Sequence, residues 1–203
     1  MKLVVTGADR PLGALLCRGL AQGREVVPAG AGVDLRSPEE VAALLKGAQA
    51  LVHTLPYDPP MGRGIEAEGE VLDLVARSTY VIAQAACKAG IGRIVLISQL
   101  SLLEAYPAEY EVGPDWEPRP RPEGLALAPY MAELTCREIA RLGKLEVICL
   151  RLGALDAPEG TSGADALKAV EAALVYERKE REYHWMVHHV ASAGRFATRT
   201  EGN

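Results

Sequence analysis

Met1-Lys2-Leu3-Val4-Val5-Thr6-Gly7-Ala8-Asp9-Arg10-Pro11-Leu12-Gly13-Ala14-Leu15-Leu16-Cys17-Arg18-Gly19-Leu20 opens the chain. A short apolar run, Leu3–Val5, leads into Thr6-Gly7. Gly13 and a helical apolar pattern follow, with Pro11 in the first turn, where its missing N–H costs nothing. This reads as a buried strand, a tight glycine turn and a helix N-terminus. Backbone N–H groups at such a turn face open space and suit a pyrophosphate. Arg10 and Pro11 stand where a further glycine is expected.

The same rhythm continues downstream. Strands are expected at Glu25–Pro28, Val33–Leu35, Ala50–His53, Ile94–Ser98, Glu146–Leu152 and Trp185–Val190. Helices are expected at Pro11–Gln22, at residues 38–46 behind a Ser37 cap with Glu40 at its third position, and at Ile65–Ala89, which Gly90 stops. Two more are expected, at Tyr130–Gly143 and Ala164–Arg178. The Pro- and Gly-rich stretch Tyr106–Pro129 reads as a long surface loop, a kind that often carries function. Strand alternating with helix predicts an α/β fold: one Rossmann-type, doubly wound parallel sheet of about seven strands, with helices on both faces. Residues 1–196 form that single domain, with 154–196 as a short substrate-side segment and 197–203 as a tail.

Composition narrows the class of partner. The 203 residues are 49% apolar and 24% charged, with a net charge of -5, which argues against nucleic acid or an anionic membrane. No apolar run approaches the roughly 20 residues that span a bilayer. The apolar start reads as a strand rather than a leader, and Cys17, Cys87, Cys136 and Cys149 lack the spacing of a metal or redox motif. The expectation is a cytoplasmic protein. His184, His188 and His189 come without a completing Cys or carboxylate. A strand through Met186-Val187 sends His188 and His189 to opposite faces, so no metal site is expected.

Several passages together resemble the short-chain dehydrogenase/reductase superfamily, especially its extended and atypical NAD-dependent epimerase/dehydratase branch. They are the glycine turn, Asp34-Leu35 before a helix, Ala50-Leu51-Val52-His53, Gln84 to Ser98 as a helix–strand passage, Pro129-Tyr130 opening a helix, and Leu150-Arg151-Leu152-Gly153. The resemblance covers about Met1 to Gly153, with an echo in His189-Val190-Ala191-Ser192.

It implies a dinucleotide cofactor held by Thr6, Gly7, Asp9, Arg10, Leu12, Gly13, Asp34, Leu35, His53 and Tyr130, and an unidentified small-molecule substrate. It also implies Tyr130 as acid/base, helped by Ser98 or Ser101. In this family two long helices often pair across a homodimer, here residues 65–89 and 130–143. The second strand ends Val27-Pro28-Ala29-Gly30 without an acid for the ribose, and Arg10 stands where some members meet a 2′-phosphate. Between NADP and NAD, both features favour NADP.

The departures are specific. Leu134 replaces the lysine of the Tyr-x-x-x-Lys pattern, whose role is to lower the tyrosine pKa. Gln99 falls on the catalytic Ser/Thr position. Glu133, one turn from Tyr130, would raise the phenol pKa. Two functions remain open: an oxidoreductase or epimerase acting on a sugar-like or small carbonyl or hydroxyl substrate, and a non-catalytic dinucleotide-binding relative. Trp116, Tyr106 and Tyr110 could either cover a substrate or pin their loop to the body.

Overall fold

The computed structural model describes residues 1–55, 64–180 and 182–197. Its elements are β1 (Lys2–Thr6), α1 (Pro11–Leu20), β2 (Glu25–Ala29), α2 (Pro38–Leu44), β3 (Ala50–Thr54), α3 (Ile65–Leu72), α4 (Ser78–Ala89), β4 (Arg93–Gln99), α5 (Gly124–Ala140), β5 (Glu146–Leu152), α6 (Gly163–Val175) and β6 (Trp185–Val190). The strands form one all-parallel sheet in the order β2-β1-β3-β4-β5-β6.

Alternation along each strand divides the core in two. Val4, Leu51, Ile94, Leu96, Val147 and Cys149 pack with α2, α4 and α5 on one face. Leu3, Val5, Val52, Val95, Ile97, Ile148 and Leu150 pack with α1 and α6 on the other. The chain leaves β1 toward β2 and returns past it to β3. The C-terminal ends of β1 and β3 therefore flank the switch point, where a crevice opens in sheets of this kind.

Among the described residues the sheet has six strands, because the one expected at Val33–Leu35 is replaced by a turn. Val33 N–H turns back to the Gly30 carbonyl at 3.1 Å, and the Asp34 carboxylate accepts from Arg36 N at 3.0 Å. This Asx-type turn competes with extension. Helix α5 starts at Gly124, six residues before its expected start, so the loop is shorter and Pro129 lies inside the helix. Packing overrides the proline signal. Gly124 N–H donates to Glu68 Oε2 at 3.2 Å, and a Cβ on Gly124 would sit 2.8 Å from the Glu68 carbonyl oxygen.

The expected helix over 65–89 is continuous but contains one wide turn at Asp73–Arg77. The Thr79 hydroxyl donates to the Val75 carbonyl at 2.7 Å, and Ser78 Oγ to the Leu74 and Val75 carbonyls. Hydroxyls entering the ladder in this way open a helix turn. The tail expected over 197–203 lies outside the described residues from 198 onward.

Candidate functional site

The turn after β1 is built by backbone contact that only glycine permits. Gly7 has φ +62°, and a Cβ there would run into the Thr54 hydroxyl. A Cβ on Gly13 would run into the Gly7 carbonyl. Arg10 N–H closes the turn on Gly7 O at 2.9 Å, and Ala8 N–H ties it to Ala29 O at 3.1 Å, at the end of β2. The first amide bonded along α1 is Ala14, to Arg10 O at 2.8 Å. The Leu12 and Gly13 amides thus belong to the unbonded helix end, with the positive end of the helix dipole behind them.

These residues form one wall of a cleft of about 870 Å³. Arg10 to Gly13, Thr54 and Leu55 line it on one side, and Ile97 to Ser101 and Glu104 at the end of β4. Leu152 to Leu155 follow β5, and Arg195 and Phe196 close the far side. Arg195 is fixed by bonds from its guanidinium to the Tyr106 and Pro107 carbonyls, at 3.0 and 3.1 Å.

Thr6 and His53 are not on the cleft surface. Both are fully buried and bonded to each other, Thr6 Oγ1 to His53 Nδ1 at 2.9 Å. His53 Nε2 lies 3.1 Å from the Thr79 hydroxyl. That hydroxyl already donates to Val75 O, so it accepts from Nε2–H, and Nδ1 accepts from Thr6. Burial pushes the His53 pKa down to about 4. The pair supports the glycine turn from below and ties it to the wide turn before α4. Asp34 and Leu35 also lie off the cleft. The Asp34 carboxylate pairs with Arg36 at 2.9 Å, and Arg36 with Asp73 at 3.0 Å. Leu35 packs against the α2–α5 core.

Tyr130, Ser98 and Ser101 are not brought together. Ser98 and Ser101 line the cleft, but Ser98 is buried and donates to Glu133 Oε1 at 2.6 Å. Ser101 donates to Gln99 Oε1 at 2.9 Å. Tyr130 opens onto a separate hollow of about 760 Å³, lined by Trp116, Glu117, Arg137, Arg151, Tyr176 and Trp185 among others.

Glu133, three residues on and so on a neighbouring part of the same helix face, points to the sheet, accepting from Arg151 Nε at 2.9 Å and Nη2 at 2.7 Å. Arg151 lines the Tyr130 hollow as well. Burial first, and then the negative charge of Glu117, push the Tyr130 pKa up, with Glu133 contributing least. The direction is opposite to what a phenolate base requires. Among the described residues, neither a tyrosine nor a lysine lines the cleft.

The loop aromatics pin the loop. Tyr106 is buried, meets Trp116 edge-on at 4.8 Å and donates to Glu117 O at 2.8 Å. Among the described residues, no three His, Cys, Asp or Glu side chains gather as metal ligands. Sequence reasoning missed Glu133 as the partner of Arg151. The usable signal was an acid on an otherwise apolar helix face opposite a basic residue in a buried strand.

At the level of sequence, no family model and no curated protein matches the chain. Solved structures match it in fold. Uronate dehydrogenase from Agrobacterium tumefaciens is 22% identical with a TM-score of 0.76, over 95% of this chain and 77% of its own. A dTDP-glucose 4,6-dehydratase from Streptomyces venezuelae, crystallised with NAD, is 18% identical with a TM-score of 0.77, over 94% and 75%. A small-chain dehydrogenase is 16% identical with a TM-score of 0.71, over 97% and 99%. The protein has the fold of the short-chain dehydrogenase/reductase proteins, as the motifs between Met1 and Gly153 imply.

Proposed function

We propose that this protein binds a nicotinamide dinucleotide in the cleft at the glycine turn. The observation that carries this is the Gly7–Gly13 contact, which brings the N-terminus of α1 onto the end of β1 and leaves no room for a side chain. Two structural neighbours carry NAD in their names, the dehydratase above and a short-chain dehydrogenase/reductase superfamily protein from Agrobacterium tumefaciens. The Leu12 and Gly13 amides would hold the pyrophosphate, and the Ile97–Ser101 and Leu152–Leu155 walls would hold the nicotinamide half. A bound nicotinamide supplies hydride transfer.

The glycine turn and the cleft walls support binding, whereas the family's acid/base residues do not meet in the cleft. Tyr130 faces another hollow, Ser98 is engaged by Glu133, and Leu134 replaces the lysine. This favours a dinucleotide-binding relative without the Tyr–Lys chemistry. A second reading, an oxidoreductase or epimerase of a sugar-like or small carbonyl or hydroxyl compound, is supported by Ser101 and Glu104. Both line the same cleft.

The NADP preference read from the sequence rests on Arg10 and on the missing acid of β2. Arg10 does line the cleft, but Asp9 brings an acid from the glycine turn to the end of β2. A homodimer through residues 65–89 and 130–143 is supported by the exposed Leu74, Tyr80 and Met131. A cytoplasmic setting is supported by four free thiols. Among the described residues, no helix is long and apolar enough to cross a membrane. Calorimetry with NADH and NADPH tests the binding, and a hydride-transfer assay over a panel of sugar nucleotides and small carbonyls tests the second reading. Light scattering tests the dimer, and a monomer at micromolar concentration counts against it.

A further inference from the structure

We propose that Asp9 selects NAD over NADP by taking the place of the acid that β2 lacks; the proposal rests on the dinucleotide reading above. In dinucleotide folds a carboxylate at the end of the second strand, about 20 residues past the glycine turn, accepts from the adenine ribose 2′-hydroxyl. Here β2 ends at Ala29 and Gly30 follows. Gly30 has no side chain to offer, yet the place is not empty of charge. A Cβ built on Gly30 would meet the Cβ, Cγ and Oδ1 of Asp9, each at 3.2 Å. The Asp9 carboxylate therefore lies against the strand end, reaching it from the glycine turn.

The backbone holds it there. Ala8 N–H donates to Ala29 O at 3.1 Å, and Arg10 N–H to Gly7 O at 2.9 Å. Asp9 lies between these two fixed points and keeps its side chain solvent-accessible, at 42% exposure. The absence of a side chain on Gly30 leaves the room the carboxylate uses.

A carboxylate accepts hydrogen bonds and donates none, so it suits the ribose hydroxyls. A 2′-phosphate carries roughly -1.5 to -2 charges at neutral pH, and like charges brought together at a binding surface oppose association. Arg10 does not reverse this. Its Nε lies 3.9 Å from Asp9 Oδ2, with both side chains 42% exposed, so an incoming phosphate would meet the two charges as a neighbouring pair. Loss of the carboxylate charge would remove the repulsion that a 2′-phosphate meets at the end of β2.

The test is a pair of dissociation constants, for NADH and NADPH, on the intact protein, its Asp9→Asn variant and a Glu138→Gln control at an exposed position of α5, with circular dichroism confirming the fold of each. The wild type is expected to bind NADH at least about tenfold more tightly than NADPH, a ratio Asp9→Asn lowers at least about fivefold by weakening NADH and strengthening NADPH. The control is expected to keep the wild-type ratio. Equal affinities in the wild type, or an unchanged ratio in Asp9→Asn, overturn the role of Asp9 and leave the dinucleotide site standing. Binding of neither nucleotide to the folded wild type overturns both.

Discussion

Glu133 on α5 and Arg151 on β5 form a two-point ion pair inside the fold, Nε–Oε1 2.9 Å and Nη2–Oε2 2.7 Å, with both side chains 4% exposed. Ser98 and Cys149 also donate to the same carboxylate oxygen, and Arg151 Nη1 reaches the Pro114 carbonyl at 3.2 Å. One pair thus fixes helix to sheet and loop to sheet.

Removing one partner leaves the other charge buried and unpaired. Glu133→Ala is expected to lower the unfolding free energy by about 3–5 kcal/mol, read from urea denaturation. The double variant Glu133→Leu/Arg151→Met restores apolar packing and is expected to recover most of that loss. A double variant as unstable as the single one would show that the charges are not the source of the effect.

Tyr130→Phe removes the phenol from a hollow separate from the cleft. Its NADH affinity is expected to equal that of the wild type within about twofold, since no contact of that hydroxyl reaches the nucleotide site. A tenfold loss would place Tyr130 in the cofactor's reach after all.

His53 provides a pH dependence with a definite sign. Its folded pKa is about 4, below the ordinary value of about 6.5, so the unfolded chain binds the proton first as pH falls. Stability is full above about pH 6.5 and declines as pH falls toward 4. Between pH 7 and 5 the loss from this one group is about 2 kcal/mol. His189, also held at about 4, adds in the same direction. Urea midpoints at the two pH values test this, and His53→Gln is expected to flatten the slope. An unchanged slope would show that His53 is not the source.

The glycine turn tolerates no side chain at Gly13. Gly13→Ala drives a methyl group into the Gly7 carbonyl, and the backbone shift is expected to weaken dinucleotide binding by at least about tenfold, measured by NADH fluorescence. Gly92→Ala, where a Cβ meets nothing within 4 Å, serves as the control and is expected to leave affinity unchanged.

The fold was legible because the signals were local and repeated. Strand ends, Gly7, Gly13, the Ser37 cap and the αL stop at Gly90 each follow from neighbouring residues. The glycine turn was legible for the same reason. What misled was a local turn in one place and tertiary contact in the others. Val33–Leu35 has strand composition, but Asp34 spends its carboxylate on a local turn. Pro129 looks like a helix start, but Gly124 docks on Glu68 and begins α5 earlier. Tyr130 follows a family pattern in one dimension, and only the Glu133–Arg151 pair shows which face of the helix meets the sheet. Thr6 belongs to the glycine turn and His53 to the Ala50–His53 passage of the family pattern, and the bond between them beneath the turn is visible only in three dimensions.

The central claim is that the cleft at the Gly7–Gly13 turn takes a nicotinamide dinucleotide. The most direct measurement is a calorimetric titration of the intact, folded protein with NADH, repeated on Gly13→Ala. Saturable binding at one site per chain, weakened in the variant, is the predicted result. No heat of binding at millimolar NADH, or identical binding in Gly13→Ala, would contradict it.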